Sequence, residues 1–275
     1  MNGRLRDQLK ELRLSGMAST LDVRLDEAKS SRLDHSEFLE TVLQDELVVR
    51  QDRQIERWTK LACFRDLKSI DDFDFEFNTS VNKKQIYDLA AGDFVRKAHD
   101  ALLIGPPGVG KSHLVQAIGR QLIRDGYTVY YRSIFDCIRD FLHDEAFEGH
   151  DRILNRYLKP DLLILDDMGM KQLPKGSGEF LFEIIMRRHE LRSTMMTSNR
   201  PLEDWGKLIG DVPSATAILD RFLQHAKVIE ITGRSYRLRG KPADKSISDD
   251  ETKTSQSRKP GSGALTGLAP SASAK

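Results

Sequence analysis

The stretch from Ala101 to Ser112, ALLIGPPGVGKS, constrains this 275-residue chain more than any other. A short apolar run leads into G-x-x-x-x-G-K-S and a helix-forming sequence follows, the context in which such a loop cradles phosphate. Gly105, Gly108 and Gly110 leave backbone N–H groups free to curl around an anion, Pro106, Pro107 and Val109 complete the loop, and the new helix adds the positive end of its dipole. Lys111 is a compact cation suited to β and γ phosphates, and the Ser112 hydroxyl suits a Mg²⁺ shell. His113 reads first as a helix residue and is carried with the loop as a nucleotide-side position.

From Asp100 onward short apolar runs alternate with helical patterns: ALLIG, a helix from Lys111 to Arg124, TVYYR, a further helical stretch and DLLILDD. A helix from Gly178 to His189, the apolar run Thr194 to Thr197, a helix from Ser214 to His225 and a short strand from Val228 to Ile231 continue the series. The pattern predicts an α/β fold with a parallel sheet flanked by helices. Residues 1 to about 62 contain no proline and only Gly3 and Gly16, and their apolar spacing predicts a small all-helical region. Its best-marked helix is expected to start with Ser36 as N-cap, Glu37 and Glu40 in the first turn, and to end near Lys60. The acidic, aromatic stretch 64–82 loses the periodicity and marks the junction. The expected domains are a helical region over 1–65, an ATPase domain over 66–240, and a Ser, Gly, Pro, Ala and Lys-rich tail over 241–275 too polar to order itself.

A net charge of +1 means that attraction to a polyanion must come from local patches. Cys63 and Cys137 form neither a disulfide framework nor a zinc cluster, the charged N-terminus lacks the apolar core of a signal peptide, and no apolar run is long enough to cross a membrane. The expected setting is cytoplasmic.

A phosphate loop needs an acid opposite it, and Leu162 to Asp167 ends an apolar strand in two carboxylates. Asp166 is expected on the magnesium side and Asp167 as the acid that polarises a water. In Thr194 to Asn199 an apolar strand ends in an amide that could orient the attacking water, although Asn199-Arg200-Pro201 is also a good turn. The guanine-reading Asn-Lys-x-Asp is missing, since Asn82-Lys83 continues into Lys84-Gln85. ATP is the expected nucleotide.

Together GPPGVGKSHL, LLILDDMG, TSNRP and ILDRFLQHAKVIEITGRSYRLR resemble the IstB-type ATP-binding proteins that assist bacterial transposases. That family belongs to the AAA+ ATPases and is similar to the helicase loader DnaC and the initiator DnaA. The resemblance implies Asp166 and Asp167 as Walker B acids, Asn199 as sensor, Arg221 as a finger reaching a neighbouring subunit's ATP, and Arg237 near the nucleotide. It also implies double-stranded DNA, a transposase and further copies of the chain as partners. Many AAA+ enzymes carry Glu where this chain has Asp167, and loaders often carry a base at the position of Ala217. Both departures suggest slow hydrolysis, suited to a switch. A DnaC-like helicase loader is the alternative; a P-loop kinase fits less well, because it requires neither TSN nor LDRF.

For DNA, Arg50, Arg53, Arg57 and Lys60 share one helix face, but Asp52 and Glu56 are interleaved and Glu46 and Glu56 can pair with the stripe. Arg234, Arg237, Arg239 and Lys241 form a second basic cluster. Nothing matches a sequence-reading motif, so contact to DNA backbone and shape is expected.

Overall fold

The computed structural model describes residues 3–144 and 149–239. The expected tail and Lys241 lie outside the described residues.

The chain opens with α1 (Gly3–Glu11), α2 (Ser15–Ser31) and α3 (His35–Leu61). Leu9, Leu21 and Val42 are their shared core. The start of α2 lacks a side-chain cap of its own. Glu46, buried on α3, fills that role: its Oε2 accepts Gly16 N at 2.6 Å and Met17 N at 3.2 Å. At Gly16 a Cβ would lie 2.7 Å from Glu46 Cα, so glycine is what lets the two helices approach. The cap of α3 is Asp34 rather than Ser36. Asp34 Oδ1 accepts from Ser36 N (2.6 Å) and Glu37 N (2.9 Å), and Glu37 returns the bond to Asp34 N (3.0 Å), a capping box that leaves Ser36 inside the first turn. The far end of α3 leaves this bundle, and Ile55 and Trp58 pack on the main core.

Turns across the 64–82 junction lead to α4 (Lys83–Ala90) and α5 (Asp93–Arg96). Next come β1 (Ala101–Ile104), α6 (Lys111–Arg124), β2 (Val129–Ser133), α7 (Ile134–Asp144), α8 (His150–Leu158) and β3 (Leu162–Met168). The series closes with α9 (Ser177–Arg188), β4 (Ser193–Ser198), α10 (Trp205–Ile209), α11 (Val212–Leu223) and β5 (Lys227–Glu230). Helix α11 starts two residues ahead of the expected Ser214 because Asp211 caps it and Pro213, which needs no N–H partner, occupies the first turn.

All strand pairs are parallel, in the order β2-β3-β4-β1-β5. Both faces are covered along β1 to β4, which is why these strands read as largely apolar runs instead of alternating, while the edge strand β5 buries only Ile229. One face packs Leu103, Ile118, Leu122 and Ile164 with α4 and α6; the other packs Leu102, Leu163, Leu165 and Met196 with α7 to α11. Every crossover returns the chain to the same sheet end, so the loops after β1, β3 and β4 converge there.

Candidate active site

Gly105 N donates to Ser198 O (3.1 Å), tying the loop after β1 to the end of β4. Gly108 and Gly110 adopt φ of 85° and 102°, open only to glycine without strain. A Cβ at Gly105 would meet Ile231 O at 2.0 Å, and one at Gly110 would meet the Phe73 ring at 2.5 Å. Val109 instead turns its side chain into the core, so only its backbone faces the loop. Lys111 is folded inward, donating from Nζ to Gly105 O (2.7 Å) and Pro106 O (2.9 Å). Burial pushes its pKa down to about 8, against the pull of Asp166 and Asp167.

Asp166 lies buried beneath the loop. Its Oδ1 accepts from Ser112 Oγ (3.1 Å), from Asp167 N (2.9 Å) and from the Thr197 hydroxyl, and its Oδ2 accepts from Tyr131 OH (2.6 Å). Burial and the adjacent carboxylate raise the Tyr131 phenol far above its ordinary range, so it remains a donor. Adjacent strand residues normally point to opposite faces. The pairing of β3 with β4 slips here: Leu165 faces Met196 and Met168 faces Ser198, leaving Asp166 and Asp167 opposite Thr197 alone. This bulge, with Asp167 at φ 67°, turns both carboxylates toward the loop. Burial and Asp166 raise the Asp167 carboxyl pKa, while an ion pair from Arg65 Nη1 to Asp167 Oδ2 (2.9 Å) opposes them.

Pro107, Gly108, Gly110, Lys111, Ser112, His113, Asp167, Met170, Asn199, Tyr236 and Arg237 line one cleft of about 210 Å³. Four separate stretches of sequence therefore meet: the loop, the end of β3, the end of β4 and the segment after β5. Asn199 donates its backbone N–H to Met168 O at 2.8 Å, fixing the turn that carries its amide. The His113 ring nitrogen lies 2.9 Å from Ser69 O, and its ring meets Phe73 edge-on, so it braces the junction segment against α6. A second cleft of about 230 Å³, lined by Phe73, Gly110, His113, Tyr236 and Arg239 among others, continues from the first. Arg221, on α11, is exposed and lines neither cleft.

The residues fit a triphosphate and a hard cation. Glycines leave backbone space where a Cβ would clash, Lys111 points its donors at carbonyls it can exchange for phosphate oxygens, and Ser112 and Asp166 bring hard oxygen donors together.

The first of the two basic surfaces is largely occupied within the chain. Arg50 Nε pairs with the capping Glu46 at 2.7 Å, Arg53 donates to Ser15 Oγ at 2.5 Å, and Lys60 pairs with Glu56 at 2.6 Å, while Arg57 is exposed. In the second, Arg239 pairs with Asp74 at 3.1 Å, Arg237 lines the cleft and Arg234 is exposed.

The model of the IstB-like ATP binding protein family matches residues 7–243. The chain belongs to that family. The ATP-binding protein of insertion sequence IS5376 from Geobacillus stearothermophilus is 35% identical over 241 residues, covering 88% of this chain and 96% of the relative. That of IS21 from Pseudomonas aeruginosa is 33% identical over 233 residues, 85% and 88% of the two chains. Among solved structures, AMPPCP-bound DnaA from Aquifex aeolicus superposes with a TM-score of 0.52 at 20% identity, covering 62% of this chain and 51% of that one, a likeness of fold. The chain thus has the AAA+ form of the P-loop fold.

In this IstB-like site several participants carry no sequence motif. Tyr131 and Thr197 hold Asp166 from strands on either side. Arg65 reaches Asp167 from the junction, where Gln116 Oε1 accepts both Arg65 N (2.9 Å) and Asp66 N (3.0 Å) and Gln116 Nε2 donates to Ser112 O (2.9 Å). The buried position of Tyr131 and Thr197 in apolar strand runs was the available signal, since a buried polar group needs a partner.

Proposed function

We infer that this chain is a cytoplasmic, ATP-dependent DNA-binding regulator that assembles on duplex DNA, hydrolyses ATP as an assembly switch and stimulates a partner transposase. The observation that carries this reading is the meeting of Lys111, Ser112, Asp167 and Asn199 in one cleft, with Arg221 exposed outside it. The names of its relatives as ATP-binding proteins of insertion sequences support the setting.

On this reading ATP enters the cleft, and Lys111 exchanges the carbonyls of Gly105 and Pro106 for β and γ phosphate oxygens. Ser112 and Asp166 would hold Mg²⁺, which neutralises phosphate charge. Asn199 orients a water. Asp167 accepts its proton as the water oxygen bonds to the γ phosphorus and the bond to the ADP oxygen breaks, giving ADP and phosphate. Arg237 adds positive charge at the cleft wall. Arg221, with no phosphate within its own subunit's cleft, serves the site of a neighbouring copy, so hydrolysis follows assembly.

The experiment is to measure ATP turnover with and without duplex DNA, and strand transfer by an insertion-sequence transposase with and without the protein. DNA-stimulated turnover together with ATP-dependent stimulation of strand transfer is expected. Stimulation of helicase loading in place of strand transfer would transfer the reading to a DnaC-like loader.

A further inference from the structure

We propose that a groove of about 710 Å³ between the end of α3 and α8, along the free edge of β2, seats one phosphate strand of duplex DNA. The proposal deepens the DNA-binding part of the proposed function and rests on it. Five cations line the groove, Lys60, Arg132, Arg152, Arg156 and Lys159, and no Asp or Glu does. Two of the five are partly neutralised from outside the groove. Lys60 pairs with Glu56 at 2.6 Å, and Arg132 pairs with Asp140 at 2.8 Å while lying over the Tyr130 ring.

The remaining three are different. Arg152, Arg156 and Lys159 are exposed, and their side chains make no ion pair or hydrogen bond among the described residues. Their i, i+4, i+7 spacing puts them on one face of α8 and its end. At ~1.5 Å rise per residue they extend over about 10 Å, the axial length of roughly three phosphates on one strand of B-DNA. Three cations in a row on one helix, without a partner among the described residues, repel one another, so a polyanion laid along them gains the attraction and releases counterions. The stripe on α3 lacks this character, because Arg50 and Arg53 are engaged with Glu46 and Ser15 and Lys60 with Glu56, which leaves Arg57 isolated. The groove also joins α3 to the sheet edge, so a strand seated there touches both the helical region and the ATPase core.

Trp58 forms part of the groove wall, whereas Trp205, the other tryptophan, is fully buried elsewhere. Trp58 is therefore a local reporter.

The test uses the full chain with ATP, a mixed-sequence duplex as probe, and titrations over a range of salt. Duplex should change the emission of the wild-type protein and leave that of Trp58→Phe unchanged. The combined variant Arg152→Ser, Arg156→Ser, Lys159→Ser should keep wild-type ATP affinity and lose about 2.7 from the slope of log affinity against log salt. The single variant Arg156→Glu should weaken duplex binding in the same direction, which guards against a folding defect in the combined variant. A combined variant that binds duplex with wild-type affinity and slope overturns the groove and leaves DNA binding to another surface. Absence of duplex binding by the wild-type chain overturns both readings. Full competition by inorganic phosphate at matched ionic strength would make the groove a small-anion site, which also overturns it.

Discussion

Arg65 Nη1 lies 2.9 Å from Asp167 Oδ2, so a residue at the foot of the N-terminal helices holds the carboxylate assigned to activate water. Burial and Asp166 push the Asp167 pKa up, and Arg65 pulls it down. In Arg65→Gln the restraint is lost and the pKa rises further. A base works only when deprotonated, so the acid limb of the turnover profile should move to higher pH while ATP affinity stays near wild type. Turnover measured against pH in both proteins checks this; coincident acid limbs would show that Arg65 does not tune Asp167.

Burial, only partly opposed by Asp166 and Asp167, pushes the Lys111 pKa down to about 8 where its ammonium donates to loop carbonyls. Triphosphate beside it favours the charged form, so ATP binding at pH near 8 should take up about half a proton per site. Calorimetry in buffers of different ionisation enthalpy measures the uptake. It should be absent in Lys111→Ala, which also loses charge-assisted hydrogen bonds of about 1.5–3 kcal/mol each and binds ATP at least tenfold more weakly.

Asp167→Asn keeps the shape of the side chain and loses its proton affinity, so ATP binding should persist while turnover falls by about 10²- to 10⁴-fold.

If Arg221 serves a neighbour's site, Arg221→Ala should bind ATP normally as a monomer and lose about 10³- to 10⁵-fold of assembled turnover. Mixing the Arg221→Ala and Asp167→Asn proteins on DNA should then restore activity, because Arg221 of an Asp167→Asn subunit completes the site of an Arg221→Ala neighbour, which keeps its own Asp167. Mixed assemblies that stay inactive would assign Arg221 to its own subunit.

At Gly16 an added methyl meets backbone at 2.7 and 2.8 Å, atoms that cannot rotate away. Gly16→Ala should therefore destabilise the packing of α2 on α3 by ~1–3 kcal/mol, read as a lower unfolding temperature with ATP affinity retained.

The features legible in the sequence were those encoded locally. Helix α6 starts and ends where its pattern says, because the glycine before Lys111 and the apolar spacing through Ile123 are contiguous signals. Strands β1 to β4 were visible because burial on both faces makes them largely apolar runs, whereas β5, at the sheet edge, buries Ile229 and exposes Val228 and Glu230. The cap of α3 was misassigned because Asp34 and Ser36 are both good caps, and only geometry shows which one reaches Glu37 N. The Asp166–Asp167 pair was found, but not how neighbouring residues can both face the loop. That depends on the register of β3 against a strand about 30 residues away. Arg65 was invisible for the same reason, since its partner lies about 100 positions later and no spacing rule connects them.

Strand β1 lies between β4 and β5, and its loop leans on both: Gly105 N bonds to Ser198 O, while Ile231 O occupies the space over its Cα. The phosphate motif thus leaves the ribosome about 90 residues before the end of β4 and well over 100 before Ile231, the two positions that shape it. Long-range parallel pairing of this kind closes slowly, and until it closes β1 has bare edges open to other chains. A reading frame interrupted ahead of Ile231 would encode the whole motif and build no pocket. Broken copies of such a gene should yield aggregation-prone polypeptide for proteases to clear, not a weakened ATPase that competes with the intact protein on DNA.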